Sequence, residues 1–317
     1  MNPLIVKNLT KTFPAQRTFW GAIKSPPFTA VDNVSFEVKE REILGLLGPN
    51  GAGKTTTIQM LLSTLKPTSG AITYFGKDFF TNRSASLTQI GFASAYVGLP
   101  KRLTVQENLE VYGRLYGLTS QQRAKRINKY LEEFGVAHLA NRETGALSAG
   151  ETTRVMLAKA FLSHPKIVLL DEPTAALDPD IAQDIRSFIL ERREKDGVSF
   201  LFTSHNMGEV TEVCDRVLVL QHGNIIADDT PEALAAKVST ARLELLVGDT
   251  LQKAIDCVTQ QGLTHKVHGH LIEIEVDEHA IAQLLQELTH TGVTYTQISI
   301  RKPQLEDYFV MIAKQSK

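Results

Sequence analysis

The sequence is poor in cysteine and has no long apolar run. Its 317 residues include two cysteines, Cys214 and Cys257. These are too few and too far apart for a disulfide framework or a zinc cluster, so we expect a reducing compartment. No segment reaches the ~18 consecutive apolar residues of a membrane-spanning helix, and residues 1–10 lack the charged start and apolar core of a signal peptide. These absences predict a chain that is soluble, or that is held at a membrane by a partner.

An excess of either charge is missing as well. The chain carries 34 lysines and arginines against 35 aspartates and glutamates, a formal net charge of −1 at pH 7. Nucleic-acid binders that rely on bulk electrostatic attraction are basic, so no nucleic-acid partner is expected. With 43% hydrophobic residues, the length suffices for one large domain and a smaller one.

Short apolar runs separated by helical patterns predict an α/β fold. Three of them have the composition of buried parallel strands, namely EILGLL (42–47), KIVLL (166–170) and VSFLFTS (198–204). Between about 81 and 165 the pattern is mainly helical, with a capping box of Thr104 and Glu107 before one helix. We interpret 81–165 as a helical insert in a domain that covers 1–237.

A short helix is predicted in 228–237, at the end of this domain, with Thr230 as its cap and Pro231 at its first helical position. Beyond it the pattern changes again. The strand-like segments that follow are RLELLV, LIEIEV and VTYTQISI, and the helical stretches lie around 250–261, 278–290 and 303–314. The sequence therefore predicts a small, separate α+β domain over 238–317.

The segment GPNGAGKTT (48–56) matches the phosphate-binding pattern G-x-x-x-x-G-K-[ST]. It follows a predicted buried strand and precedes a helix start, which is the arrangement of a P-loop. Gly51 and Gly53 let backbone N–H groups turn toward a phosphate, and the helix N-terminus favours the anion. Lys54 is expected to reach the β- and γ-phosphates, and Thr55 is expected to hold Mg²⁺.

Two carboxylates and a histidine follow the other predicted strands. IVLLDEP (167–173) contains Asp171 and Glu172 at the edge where parallel strands open toward a ligand. Asp171 is expected to bind Mg²⁺, and Glu172 to orient and deprotonate the attacking water. His205 follows the third strand and is expected to contact the γ-phosphate.

The segment LSAGE (147–151) combines a helix cap with small residues. Ser148 and Glu151 have the S-x-x-E spacing of a capping box. Ala149 and Gly150 leave room for a ligand to approach the first N–H groups of the helix. Taken alone, the segment favours a plain helix cap over a binding site.

With these motifs in place, the chain resembles the ATP-binding subunits of ABC transporters over about residues 4–230. GPNGAGKTT is similar to their Walker A motif, IVLLDEP to Walker B, and LSAGE to the signature. AALD (175–178) resembles the D-loop, and Ser204 with His205 resembles the switch-histidine segment. The resemblance implies a P-loop NTPase core with a mixed sheet. The long loop after Phe13 and the C-terminal extension are most like the exporter branch, which handles drugs, sodium, polysaccharides or lipids.

The resemblance also implies ATP and Mg²⁺ as ligands and a head-to-tail dimer of two copies. Each signature helix then faces the γ-phosphate bound by the partner's Walker A motif, so Ser148 and Gly150 act on the other copy's ATP. The implied nucleotide contacts are Phe13, Gly48, Asn50, Gly51, Gly53, Lys54, Thr55, Thr56, Ser148, Gly150 and Asp178. The implied catalytic residues are Glu172 and His205, and the implied metal ligands are Thr55 and Asp171.

Two motifs depart from the family pattern. The signature usually reads Ser-Gly-Gly-Gln, and here Ala149 and Glu151 replace two of those residues. The family also places a glutamine near position 95, where it contacts Mg²⁺ and water and senses the membrane subunit. Ala95 stands there, between Ser94 and Tyr96. Because alanine has no ligating atom, we assign it no such role.

The adenine contact has more than one candidate. Phe13 aligns with the aromatic residue that stacks on adenine in the family. However, the loop over 14–30 is lengthened and contains Phe19, Trp20 and Phe28, any of which could compete. A surface loop packed by its own aromatic residues is an equally good interpretation of this insert.

A group of histidines lies in the C-terminal part. HKVHGH (265–270) brings His265, His268 and His270 together at a predicted turn. No carboxylate or cysteine accompanies them, so metal binding is not favoured.

The leading interpretation is an ATP-hydrolysing motor subunit that drives export through a separate integral-membrane permease. Such a subunit is expected as a peripheral homodimer on the cytoplasmic face of the inner membrane. The alternative is a soluble ABC-type ATPase that acts on ribosomes or DNA, but the second cassette, coiled coil or zinc module of those proteins is not seen. A GTPase or small-molecule kinase fits less well, because the guanine-reading Asn-Lys-x-Asp is missing and neither class needs a signature motif.

Overall fold

The structure is a computed structural model that describes residues 1–17, 23–94, 98–175, 177–238 and 240–315. The strands are β1 (Leu4–Phe13), β2 (Gln16–Arg17), β3 (Ile23–Ser25), β4 (Phe28–Val38), β5 (Ile43–Leu47), β6 (Ser69–Tyr74), β7 (Lys77–Asp78), β8 (Ile90–Ser94), β9 (Ile167–Asp171), β10 (Ser199–Thr203), β11 (Arg216–Gln221), β12 (Asn224–Asp229), β13 (Thr240–Val247), β14 (His265–His268), β15 (Leu271–Asp277) and β16 (Tyr295–Arg301). The α-helices are α1 (Lys54–Leu61), α2 (Arg83–Leu87), α3 (Val105–Leu115), α4 (Ser120–Glu133), α5 (Ala149–Phe161), α6 (Pro179–Asp196), α7 (Met207–Val213), α8 (Pro231–Ala235), α9 (Leu251–Gln260), α10 (Ile281–His290) and α11 (Leu305–Gln315). Every helix in the described ranges is too short or too polar to cross a membrane.

The chain forms two compact units, Met1–Thr230 and Pro231–Lys317. The larger is built on a six-stranded sheet in the order β12-β11-β5-β10-β9-β8. The pairs from β11 through β8 are parallel, and β12 adds an antiparallel edge. Every residue of β5, β9 and β10 is buried, as expected for parallel strands that are covered on both faces. The predicted parallel strands and mixed sheet are confirmed.

The register of this sheet brings several strand ends together. Thr203, the last residue of β10, pairs with Asp171, the last residue of β9. Ser94, the last residue of β8, pairs with Asp171 from the other side. β5 ends at Leu47, and the loop that follows it leads into α1 at Lys54. The carboxyl ends of these strands therefore share one edge of the sheet, where ligands of open α/β sheets bind.

A second sheet, in the order β4-β1-β6-β7, is antiparallel. Its apolar residues, such as Leu4, Val31 and Ile72, are buried in one cluster with Leu44 and Leu218 of the core sheet. The sequence did not predict this sheet. The pairing of β1 with β4 contains several register irregularities, and such irregularities interrupt the alternation of apolar and polar residues that marks a strand.

The helices α3, α4 and α5 each begin with a capping box. Their N-cap residues are Thr104, Thr119 and Ser148, and in each box the side chain three residues later bonds back to the N-cap N–H. Each box satisfies two backbone donors that a helix start otherwise leaves unpaired. The two boxes predicted from sequence, at Thr104 and Ser148, are confirmed.

The predicted extent of the helical insert, 81–165, was too wide. Residues Ile90–Ser94 form β8, which pairs with β9 and belongs to the core sheet. Gly91 and Ala93 occupy two of its five positions, and both residue types have weak β-propensity. Neighbouring strands, rather than local preference, therefore define this strand.

The smaller unit holds an antiparallel sheet in the order β14-β15-β13-β16. Alternate residues of β13 and β15 form a core with α9 and α10, and its members include Leu243, Leu245, Ala254, Val258, Ile272, Ile274, Leu284 and Leu288. This unit has the predicted α+β character. β14 was not predicted, because its four residues lie in the histidine-rich segment that we interpreted as a turn.

The boundary between the units lies earlier than predicted. The sequence pattern predicts a boundary between 237 and 238, whereas the compact units divide between Thr230 and Pro231. The helix α8 contacts α11, so its packing groups it with the C-terminal unit. The sequence predicts the helix α8 itself. Its packing partner α11 lies about 70 residues further along the chain, so the contact between them is not predictable from a local pattern.

We expect a fragment that ends at Thr230 to fold and to bind nucleotide. β12, the last strand of the core sheet, ends at Asp229, and a unit with its own core folds alone. A cooperative thermal unfolding transition of the 1–230 fragment would show that it folds, and a nucleotide titration would measure its binding. The matched control is 1–236, which keeps α8 without α11, exposes the fully buried Leu234, and should be less soluble. An insoluble 1–230 fragment would show that the core depends on the C-terminal unit.

Candidate functional site

The loop between β5 and α1 has the geometry of a phosphate cradle. Gly53 is the N-cap of α1, with φ of 108°, and no side chain in the described residues caps this helix start. Its first N–H groups therefore face outward at the positive end of the helix dipole. A Cβ at Gly53 would lie 2.4 Å from the carbonyl oxygen of Ala30, whereas Gly51, with φ of 81°, has open space around it. Glycine is required at both positions, and at Gly51 it leaves the approach to the loop clear.

Lys54 lies across the mouth of this loop. Its ammonium donates hydrogen bonds to the carbonyl oxygens of Gly48 at 2.6 Å and Pro49 at 3.2 Å. Burial lowers the pKa of Lys54, and the negative charges of Glu172 and Asp171 act in the opposite direction. The ammonium thus stands between the P-loop backbone and the two carboxylates at the end of β9.

The other P-loop residues differ in exposure. Asn50 and Thr55 are exposed, and Thr56 is half-buried. Thr57 is buried, and its hydroxyl donates to the carbonyl oxygen of Gly53 at 2.9 Å. The hydroxyls of Thr55 and Thr56 are therefore the ones at the start of α1 that can meet a ligand.

Asp171 is buried and held by hydroxyl groups on both sides. Thr203 donates to Oδ1 at 2.9 Å, and Ser94 donates to Oδ2 at 3.3 Å. Burial raises the pKa of Asp171 and the nearby Glu172 adds to this effect, while the two hydroxyls and Lys54 lower it. The sequence did not identify Thr203 and Ser94, because only the pairing of three strands places them beside Asp171.

Glu172 has a strained backbone and contacts His205. Its φ of 53° is left-handed, a conformation that costs a non-glycine residue about 1–3 kcal/mol. Its N–H donates to the carbonyl oxygen of Thr203 at 3.1 Å and to the Thr203 hydroxyl at 3.0 Å, which hold it in place. Oε1 lies 2.5 Å from Nε2 of His205. The structure therefore brings together the two residues that the sequence proposed as catalytic.

The LSAGE segment forms the predicted cap at the start of α5. The hydroxyl of Ser148 accepts from the Glu151 N–H at 3.2 Å, and the Glu151 carboxylate accepts from the Ser148 N–H at 2.7 Å. The hydrogen bond from the Ser148 backbone lowers the pKa of Glu151, and Arg142 lies 3.6 Å from its second oxygen. Glu151 thus turns back to its own helix. Gly150 is buried, and a Cβ there would lie 2.8 Å from Cδ1 of Ile181 in α6.

Asp178 is the N-cap residue of α6. It is exposed, and its side chain makes no capping hydrogen bond among the described residues. Pro179 takes the first helical position, where its missing N–H costs nothing. The carboxylate of Asp178 is therefore free of the usual capping role at the end of the loop that follows β9.

Two of the candidate adenine contacts lie side by side. Phe13 at the end of β1 pairs with Phe28 at the start of β4, and both rings are exposed, at 39% and 57%. Lys11 places its ammonium 5.2 Å from the centre of the Phe13 ring. The candidates Phe19 and Trp20 lie outside the described residues.

The remaining positions singled out from the sequence are Ala95 with its neighbour Tyr96, and three histidines in the C-terminal part. Ala95, which stands where the family has a glutamine, lies outside the described residues, as does Tyr96. His265 and His268 lie on β14, and His270 follows it. In the described part of the chain no cluster of histidine, cysteine and acidic residues could hold a metal ion by itself.

The comparisons with known proteins agree with this geometry. Residues 31–175 match the family model described as ABC transporter. The chain is 36% identical to the lipopolysaccharide export system ATP-binding protein LptB of Haemophilus influenzae, over 77% of this chain and 98% of that protein. It is 30% identical to the bacitracin transport ATP-binding protein BcrA of Bacillus licheniformis, over 96% of this chain and 95% of that protein.

Solved structures extend the likeness to three dimensions. An ABC transporter cassette in a dimeric post-hydrolysis state, bound to ADP and Pi, has a TM-score of 0.63 at 25% identity and covers 72% of this chain and 98% of its own. An ATP-binding subunit of an ABC transporter also has a TM-score of 0.63, at 27% identity, and covers 74% of this chain and 92% of its own. The chain belongs to the ATP-binding subunits of ABC transporters. It is an ATPase with a P-loop NTPase fold.

Proposed function

We propose that this chain is the motor subunit of an export system, in which two copies bind ATP between them and drive a separate integral-membrane permease. The contact of Glu172 with His205, beside Asp171 and at the edge where the P-loop opens, is the observation that supports its catalytic part. Export is supported by the relatives named for lipopolysaccharide export and bacitracin transport. A permease partner would hold the chain on the cytoplasmic face of the membrane as a peripheral subunit.

The nucleotide phosphates would lie against the P-loop and the start of α1. The N–H groups of Gly51 and Gly53, together with those of Thr55 and Thr56 at the start of α1, would form an anion site. Lys54 would leave the carbonyl oxygens of the loop for the β- and γ-phosphates, and the side chain of Asn50 lies exposed at the loop tip. The exposed ring of Phe13 would stack on adenine, with Phe28 beside it.

Mg²⁺, when bound, neutralises the charge that develops on the phosphate oxygens during hydrolysis. Asp171 and Thr55 would hold it. A carboxylate and a hydroxyl are oxygen donors, which suit this hard cation, and Asp171 is already oriented by Thr203 and Ser94. Because burial raises its pKa, a nearby cation would also stabilise the ionised form of Asp171.

Glu172 would act as the general base, and His205 would lie beside it and contact the γ-phosphate. The carboxylate of Glu172 is buried and its backbone is anchored by Thr203, so it can take a proton from a water molecule in line with the phosphate. His205 is half exposed and can contact both Glu172 and a phosphate oxygen. Ser148 and Gly150 of one copy, with Asp178, would complete the site on its partner.

The permease partner is tested by purification of the tagged chain from detergent-solubilised membranes of its own cells. We expect a polytopic membrane protein in stoichiometric amount and ATP hydrolysis in the purified complex. The same purification after a high-salt wash distinguishes a bound subunit from a loosely adsorbed one. Recovery of the active ATPase with ribosomes or DNA, and without a membrane protein, would support the alternative of an ABC-type ATPase that is not coupled to transport.

A further inference from the structure

A buried carboxylate connects the two catalytic segments. Glu209, in the first turn of α7, is 7% exposed. Its Oε2 accepts a hydrogen bond from the hydroxyl of Thr174 at 2.6 Å and another from the hydroxyl of Ser204 at 2.9 Å. Its Oε1 accepts from Nη1 of Arg186 at 3.2 Å. A buried charge persists only with such partners, so these bonds hold Glu209 and its neighbours in one arrangement.

Each partner of Glu209 belongs to a different part of the site. Thr174 follows Glu172 by two residues, and Ser204 directly precedes His205. Arg186 lies on α6, the helix that begins after Asp178. One carboxylate therefore joins the segment of the proposed general base, the segment of the switch histidine, and the helix that follows the D-loop.

The same residues line one cleft. Its volume is about 390 Å³, and its walls include Glu172, Leu177, His205 and Glu209. Thr174 and Ser204 also line it, and both are buried. Loss of either hydrogen bond to Glu209 would therefore remove a restraint on the segment that carries Glu172 or on the segment that carries His205.

A neighbouring carboxylate offers a natural comparison. Glu212, also on α7, lies 2.7 Å from Nε of Arg186, an ion-pair distance that lacks hydrogen-bond alignment. Its side chain is 38% exposed, and its partners are Arg186 and Gln183 on α6. Glu212 thus shares Arg186 with Glu209 but touches neither Thr174 nor Ser204 in the described structure.

We propose that Glu209 is a positioning residue, which fixes the spacing of Glu172 and His205 and links it to the position of α6. This inference rests on the proposed roles of Glu172 and His205. A displacement of about 1 Å in a catalytic group can lower a rate about 10²-fold. Glu209 would therefore act on turnover rather than on ATP binding, because it contacts no residue of the P-loop among the described residues.

Glu209→Gln tests the proposal with little change in shape. Its amide keeps one oxygen, but the charge that Arg186 requires is lost, and the NH₂ group cannot accept from a hydroxyl. We expect kcat to fall between about 10-fold and 10²-fold, while the dissociation constant for ATP changes less than twofold. The double variant with Glu172→Gln should be no slower than Glu172→Gln alone, because both changes act through the same base. Glu209→Asp should recover part of kcat.

The matched control is Glu212→Gln, which removes a carboxylate from the same helix and the same arginine and should leave kcat within twofold of the wild type. If Glu209→Gln does not fold, Thr174→Val and Ser204→Ala decide the question, since each removes one hydroxyl from Glu209. Each should lower kcat with ATP binding intact. Wild-type turnover in the folded Glu209→Gln, or in both hydroxyl variants, would overturn the proposal. Wild-type turnover in Glu172→Gln would instead overturn the proposed catalytic role of Glu172.

Discussion

Glu172→Gln is expected to bind ATP as the wild type does and to hydrolyse it about 10²–10⁴-fold more slowly. Glutamine keeps the shape of the side chain, and the backbone bonds from the 172 N–H to Thr203 remain. Its amide cannot take a proton from water, so the chemical step loses its base. Steady-state phosphate release measures turnover, and calorimetric titration with ATP at low temperature measures binding.

This variant also tests dimer formation. If ATP is bound between two copies and is not hydrolysed, the dimer should accumulate in Glu172→Gln when ATP is added, and light scattering after size exclusion detects it. Lys54→Ala, which removes the phosphate-binding ammonium, should stay monomeric under the same conditions. Steady-state hydrolysis within twofold of the wild type would remove Glu172 from the role of general base.

A mixture of two inactive variants should regain activity if the signature acts on the partner's ATP. Lys54→Ala disables the P-loop and Ser148→Arg blocks the signature, so each homodimer has no complete site. When the two chains are unfolded and refolded together, about half of the dimers are mixed. In a mixed dimer one site carries both defects, and the other joins an intact Lys54 to the partner's intact signature. Roughly a quarter of wild-type hydrolysis should return if the two sites act independently.

The helix cap requires its own control in this experiment. Ser148→Arg also removes the cap of α5, which costs about 1 kcal/mol. Thr119→Arg is the matched variant, because Thr119 is the N-cap of an equivalent capping box on α4 and lies outside the predicted nucleotide contacts. It should lose similar stability and keep its hydrolysis. If tagged pull-down confirms mixed dimers, and neither hydrolysis nor ATP retention at the single intact site is recovered, the signature does not act in trans.

The parts of the fold that were predictable are those encoded locally. The buried strands β5, β9 and β10 appear as continuous apolar runs, and the capping boxes at Thr104 and Ser148 appear as fixed spacings. The antiparallel sheet and β8 depend on pairing with distant strands. The short helix α8 depends on α11 for its place in the smaller unit. The local residues predict the helix α8 itself, but they carry no sufficient signal for the sheet, for β8 or for the unit to which α8 belongs.

The same distinction holds for the site. Lys54, Asp171, Glu172 and His205 were predictable one by one, because each residue type stands at the end of a strand or the start of a helix. The contacts that hold these side chains in place were not predictable from the sequence. The hydroxyl clamp on Asp171 requires the register of β8, β9 and β10, and the network around Glu209 requires the packing of α6 against α7.

The capping box at Ser148 occupies the polar groups of its own side chain. The hydroxyl oxygen accepts the Glu151 N–H, and the hydroxyl also bonds to the Glu151 carboxylate, whose pKa it lowers. The N–H groups of Ala149 and Gly150, the next two donors of α5, have no acceptor among the described residues. A backbone N–H donates and cannot accept, so this helix end favours an anion and disfavours a cation. The partial positive charge at the start of α5 favours an anion as well.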